Sequence, residues 1–125
     1  VEKFAMRLSE DLRGKAKSYA SLIIRFYVKL PKEHEEVRVL GRQLLRSGTS
    51  VAAHSREASR ARSESEFCSK LEVLLQEADE SQLWLELLRD DCGICGEPTE
   101  VLLKRTDELL AIFTTMVFKL RKSSA

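Results

Sequence analysis

Residues 37–88, VRVLGRQLLRSGTSVAAHSREASRARSESEFCSKLEVLLQEADESQLWLELL, hold two helical repeats joined by a Ser/Arg-rich turn. In the first repeat Val37, Leu40, Gly41, Leu44, Gly48, Val51, Ser55 and Ala58 recur at steps of three and four, which places them on one helix face. Much of that face is small. An interior glycine costs a helix about 1 kcal/mol relative to alanine, so Gly41 and Gly48 predict close approach of a neighbouring backbone. In the second repeat Phe67, Leu71, Leu74, Ala78, Ser81, Leu85 and Leu88 form a seam of alternating four- and three-residue steps. Ser63 and Glu66 between them fit a capping box, and Gly93 fits a left-handed helix end.

Working outward, a helix is predicted over 9–30, capped by Ser9 and stopped by Pro31. Its face is Leu12, Ala16, Tyr19, Ala20, Ile23, Tyr27 and Leu30. A last helix over 97–122 opens at Glu97-Pro98 and carries Leu102, Leu109, Ile112, Phe113, Met116, Val117 and Leu120, with a frayed tail. With the central helices at 33–61 and 64–91, residues 1–125 are expected to form one domain. Short connections between long helices favour antiparallel neighbours, so the fold class is all-α, an up-down-up-down four-helix bundle. The 125 residues, 43% apolar and 33% charged, are enough to bury a core. No apolar run nears the roughly 20 residues a membrane helix needs. Three cysteines do not make a disulfide scaffold, and a reduced cytoplasm is expected.

The net charge of +1 conceals a dipole: residues 38–62 hold six arginines against one glutamate, and residues 63–100 hold two bases against eleven acids. At 100° per residue, Arg38, Arg42, Arg46, Arg56 and Arg60 span about 80° of the second helix, on the side away from its small-residue face. The stripe runs about 33 Å, long enough to follow several phosphates of RNA or DNA. No aromatic residue interleaves with it, so base stacking is not indicated. Two other readings compete: a solvated face, or pairing with the acids of the third helix from another subunit. The third helix also has a second apolar arc, Val73, Leu83, Trp84 and Leu87. With Glu77 and Glu80 this arc is expected to form a subunit interface, although a neighbouring helix rotated over it would bury it internally.

Catalytic and metal chemistry find little support. Cys92-Gly93-Ile94-Cys95 is a lone CxxC at a helix turn, and with His34 it supplies three potential ligands at one end of the bundle. No second pair or strand–helix context accompanies it, and no metal or cofactor is expected. His54 lies near Ser50 and Ser55, but consecutive helical residues point about 100° apart and form no triad. A non-enzymatic protein is expected.

The runs Leu30-Pro31-Lys32, Gln43 through Ala53, Arg60-Ala61-Arg62-Ser63, Glu66-Phe67, Glu77 through Ser81 and Trp84 through Leu88 resemble a bacterial family named for its four-helix bundle. The family includes proteins encoded within intervening sequences of large-subunit ribosomal RNA genes, and accessory proteins of diversity-generating retroelements resemble the same bundle. The likeness spans residues 9–120. It implies a ring-shaped homopentamer, in keeping with the second apolar arc and the divided charge. The retroelement relatives imply nucleic acid and a reverse transcriptase as partners. This chain departs from them in being nearly neutral, in carrying His54-Ser55 where relatives often have Asn and a small or aromatic residue, and in its CxxC. The expected function is a non-catalytic oligomeric accessory protein that binds nucleic acid through the arginine stripe. The alternative is an interaction scaffold whose basic and acidic faces serve assembly or dock a partner protein.

Overall fold

A computed structural model describes residues 8–124, so the expected domain extends at both ends outside the described residues. Four helices run in order, α1 Glu10–Val28, α2 Glu35–Ser59, α3 Glu64–Cys92 and α4 Glu97–Ser124, with no strand among the described residues. Each helix packs on its neighbour in sequence, and α1 closes the bundle against α4. The contacts step in opposite directions along each pair: Leu30, just past α1, and Ile23 of α1 meet Gly41 and Gly48 of α2 in that order. On the next seam Arg46 reaches Glu77 and Glu80, and Glu57 reaches Lys70. All neighbours are therefore antiparallel.

Helix ends follow local chemistry. Ser9 and Ser63 accept the N–H groups of Leu12 and Glu66 at 3.1 and 3.0 Å. α1 ends at Val28, earlier than the Pro31 limit predicts, because the Lys32 ammonium folds back onto the open carbonyls of Tyr27, Val28 and Leu30. α3 ends at Gly93, whose φ of 71° lets the Gly93 and Ile94 N–H groups both reach the Leu88 carbonyl. α4 continues to Ser124, where the sequence predicts fraying, and the Arg121–Glu72 ion pair ties its last turns to α3.

The α3 seam is the centre of the core: Phe67, Leu71, Leu74, Ala78, Ser81, Leu85 and Leu88 are all buried. On α1 the buried face is wider than its stripe. It includes Phe26, while Leu12 and Tyr27 are only partly covered, because α1 touches α2 on one flank and α4 on the other. Buried hydroxyls cross the middle of this core. Thr106 donates to the Leu102 carbonyl at 2.7 Å and accepts the Tyr19 phenol at 2.6 Å. Ser81 donates to the Glu77 carbonyl at 2.9 Å and accepts Ser47 at 2.7 Å. Burial holds the pKa of the Tyr19 phenol above its ordinary value.

The α1–α2 seam depends on missing side chains. A Cβ on Gly48 stands 2.7 and 2.9 Å from the branch carbons of Ile23, and one on Gly41 stands 2.8 Å from Leu30. Gly14 of α1, by contrast, faces open space. Gly14→Ala is expected to raise stability by about 1 kcal/mol through helix propensity alone. Gly48→Ala should lose stability despite the same propensity gain, since overpacking a stiff β-branched neighbour costs about 1–3 kcal/mol; Gly48→Leu should lose more. Urea midpoints of the three variants check this, and a stabilised Gly48→Ala would contradict the packing account.

Candidate nucleic-acid interface

The five arginines of the stripe, four in α2 and Arg60 capping its end, do not act as one track. Successive residues of the stripe drift around the helix, so its members lean toward different neighbours. Arg46 leans to α3, where its guanidinium bridges Glu77 at 3.1 Å and Glu80 at 2.9 Å within the same chain. Glu77 is nearly buried and Arg46 half-exposed, so the arginine neutralises a carboxylate that burial would otherwise penalise. The Glu80 carboxyl sits above its ordinary pKa, chiefly from desolvation and then from its neighbour Glu77, with Arg46 opposing both. Arg38 is also engaged: it donates to the Lys32 carbonyl at 2.6 Å and pairs with Glu35, whose pKa it lowers.

Arg42, Arg56 and Arg60 are exposed and form no ion pair or hydrogen bond of their side chains among the described residues. Arg56 and Arg60 border a hollow with Glu57, Arg62, Glu66 and Lys70 on the α3 side and another on the α1 side. There they meet Arg13 and Lys17 across a furrow of about 900 Å³. Its floor is small, made of Gly14, Ala52, Ala53, Ser55 and Ser59, and Glu10 is its one acid among the described residues. The α1 cations escaped the sequence reading. They stand at an i,i+4 spacing on one side of α1, which was the available signal, but their partnership with Arg56 and Arg60 exists only through the tertiary register. Beyond this furrow Arg62 and Lys70 extend the basic end, interspersed with Glu57 and Glu66.

The residues of the second apolar arc divide as well. Val73 and Leu83 are exposed at 36% and 46%, and Leu87 is partly so. Trp84 packs against the chain's own core, with its indole N–H out of solvent and without a hydrogen-bond partner. Glu77 and Glu80 face Arg46, as described above.

The remaining candidates stay apart. His34, Cys92 and Cys95 form no metal-holding group, nor does any other set of three His, Cys, Asp or Glu side chains among the described residues. Cys92 is half-buried and its thiol pKa is raised, first by desolvation and then by Glu36 and Asp91. Cys68 is raised by desolvation and by its Glu72 neighbour. His54 pairs with Glu57 at 2.5 Å, while the Ser50 and Ser55 hydroxyls donate to the carbonyls of Arg46 and Ala52. No helix among the described residues is long and apolar enough to cross a membrane.

Fold and surface together define an all-helical four-helix protein with a cationic furrow on its α1/α2 side. Residues 10–115 match the family described as 23S rRNA-intervening sequence protein, and the chain belongs to that family. A solved crystal structure from Bacteroides thetaiotaomicron, described as a protein of unknown function from the S23 ribosomal protein family, is 35% identical. It covers 85% of this chain and 97% of its own, with a TM-score of 0.78. No curated protein matches the chain.

Committed and uncommitted arginines should separate in stability. Arg46→Gln leaves Glu77 nearly buried without its counter-ion and is expected to cost about 1–2 kcal/mol. Arg42→Gln should stay within about 0.5 kcal/mol of the parent. Chemical denaturation of the two variants provides the comparison, and equal losses would remove the distinction.

Proposed function

We propose that this protein is a non-catalytic, oligomeric nucleic-acid-binding accessory protein whose α2 arginines contact phosphates. The observation that carries this reading is the set of uncommitted cations: Arg42, Arg56 and Arg60 are exposed, and two of them share a furrow with further positive charge. Arg56 and Arg60, beside Arg13 and Lys17, supply a local positive potential that the net charge does not reveal. Guanidinium groups bind phosphate as rigid forks and bring no base preference of their own. The family's 23S rRNA-intervening sequence name is consistent with a nucleic-acid context. The intended measurement is binding to RNA across a salt series. Each neutralised phosphate contributes about 0.7–0.9 to the log–log slope, so the paired change Arg56→Gln with Arg60→Gln should flatten it by between one and two. Undetectable binding at low salt, or a slope the pair leaves unchanged, would end this reading.

A second reading, assembly, is favoured by the outer side of α3. Val73 and Leu83 lie exposed there with acids interspersed, while the α1/α2 side is cationic and also shows Ile24 and Val28. Two different, complementary surfaces on one chain suit a heterologous head-to-tail contact, which gives a ring where its rotation closes. A ring of five is the form proposed, and its assembly surface also offers a place for a protein partner such as a reverse transcriptase. Leu83→Glu is expected to reduce the sedimentation mass to that of one chain; a parent that already sediments as one chain would refute assembly.

A further inference from the structure

Building on the nucleic-acid reading, we infer that the α1/α2 furrow is a single-strand site, gripping one phosphodiester backbone between two cationic walls. Arg13 and Lys17 form the α1 wall, and Arg56 and Arg60 the α2 wall. Packed helices have axes only about 8–10 Å apart, so the space between their outer side chains is narrow. A single extended strand can lie along such a channel with cations on both sides of it. A duplex meets only its rims, because each duplex strand is braced against the other.

The floor supports the same conclusion. Ser55 and Ser59 already donate their hydroxyls to the Ala52 and Ser55 carbonyls, so the floor offers phosphate no spare hydroxyl donor, and recognition is left to the four cations. Among the described residues no aromatic side chain lines the furrow, and one acid, Glu10, stands beside the four cations, so affinity comes from charge rather than base stacking. Gly14 leaves its part of the channel open, since a Cβ there meets nothing within 4 Å. The ligand class is therefore single-stranded nucleic acid read through its backbone.

Three variants separate this inference from the reading beneath it. Arg13→Gln with Lys17→Gln removes the α1 wall and leaves every α2 arginine in place. Gly14→Gln obstructs the channel without changing any charge, at an exposed helical position that tolerates a side chain. Arg56→Gln with Arg60→Gln removes the α2 wall. The probes are an oligouridylate of about a dozen nucleotides, a thymidylate of equal length and a fully paired RNA duplex. With the parent protein the two single strands should bind alike and at least tenfold more tightly than the duplex. The α1 pair should lower the oligouridylate salt slope by about 1.4, at about 0.7 for each phosphate no longer neutralised. Gly14→Gln should weaken binding at least fivefold while circular dichroism and thermal unfolding show an intact helical fold.

If the parent binds no probe, the nucleic-acid reading itself fails. If only the α2 pair weakens binding, that reading stands and the furrow inference is overturned. Preference for duplex overturns it too, as does a more than tenfold preference for one sugar.

Discussion

The contact between Gly48 and Ile23 governs how the rest of the molecule is arranged. With hydrogen in place of a side chain, α2 admits the branched carbons of Ile23 at a separation no Cβ would permit, and Gly41 does the same for Leu30. Two such positions seven residues apart fix both the closeness and the register of α1 on α2. The consequence appears two turns further along, where Arg13 and Lys17 are carried alongside Arg56 and Arg60. Gathering four cations is unfavourable by itself, since like charges about 4 Å apart repel by about 1 kcal/mol even in water. Solvent and salt screen that cost at an open surface, and the apolar seam beneath holds the helices together against it.

Register between the other helices is set by hydroxyl groups in an otherwise apolar core. Tyr19 joins α1 to α4 through Thr106, and Ser47 joins α2 to α3 through Ser81. Sliding any helix by one turn, about 5.4 Å, strands buried polar groups without partners. An all-aliphatic seam imposes no comparable penalty on a slip. The same register places Arg46, adjacent to Ser47, opposite Glu77 and Glu80, so the ion-pair clamp follows from the hydroxyl layer beneath it.

Much of this architecture was legible because apolar spacing encodes it directly. The α3 seam from Phe67 to Leu88 is buried throughout, whereas Gly41 and Gly48 of α2 make room for the side chains of Leu30 and Ile23 rather than for the neighbouring backbone that the sequence predicts. Phe26 was missed because a single stripe cannot describe a helix that packs on two neighbours. The site was legible only in part. Helical spacing places the α2 arginines on one side, but it carries no information about which carboxylates lie opposite them. Glu77 and Trp84 show the same limitation: both look like outward residues on a wheel, yet Glu77 is covered beside Arg46 and the indole N–H lies beneath the surface of its own chain.

The ion pairs decide where the remaining charge can act. Arg46 is engaged by the acids of α3, Arg38 by Glu35 and a backbone carbonyl, and Arg121 by Glu72, so neutralising pairs occur at the middle of α2, at its start and at the end of α4. One cluster of cations without ion pairs among the described residues, Arg13, Lys17, Arg56 and Arg60, lies where α1 begins and α2 ends. An anionic polymer is attracted by such local density and repelled by the acidic side, so the field orients it as well as binding it. A uniformly basic surface of higher net charge attracts polymer everywhere and orients it nowhere. Near-neutrality of the whole chain is thus compatible with a directed anion site, provided the neutralising pairs leave one cluster of cations unpaired.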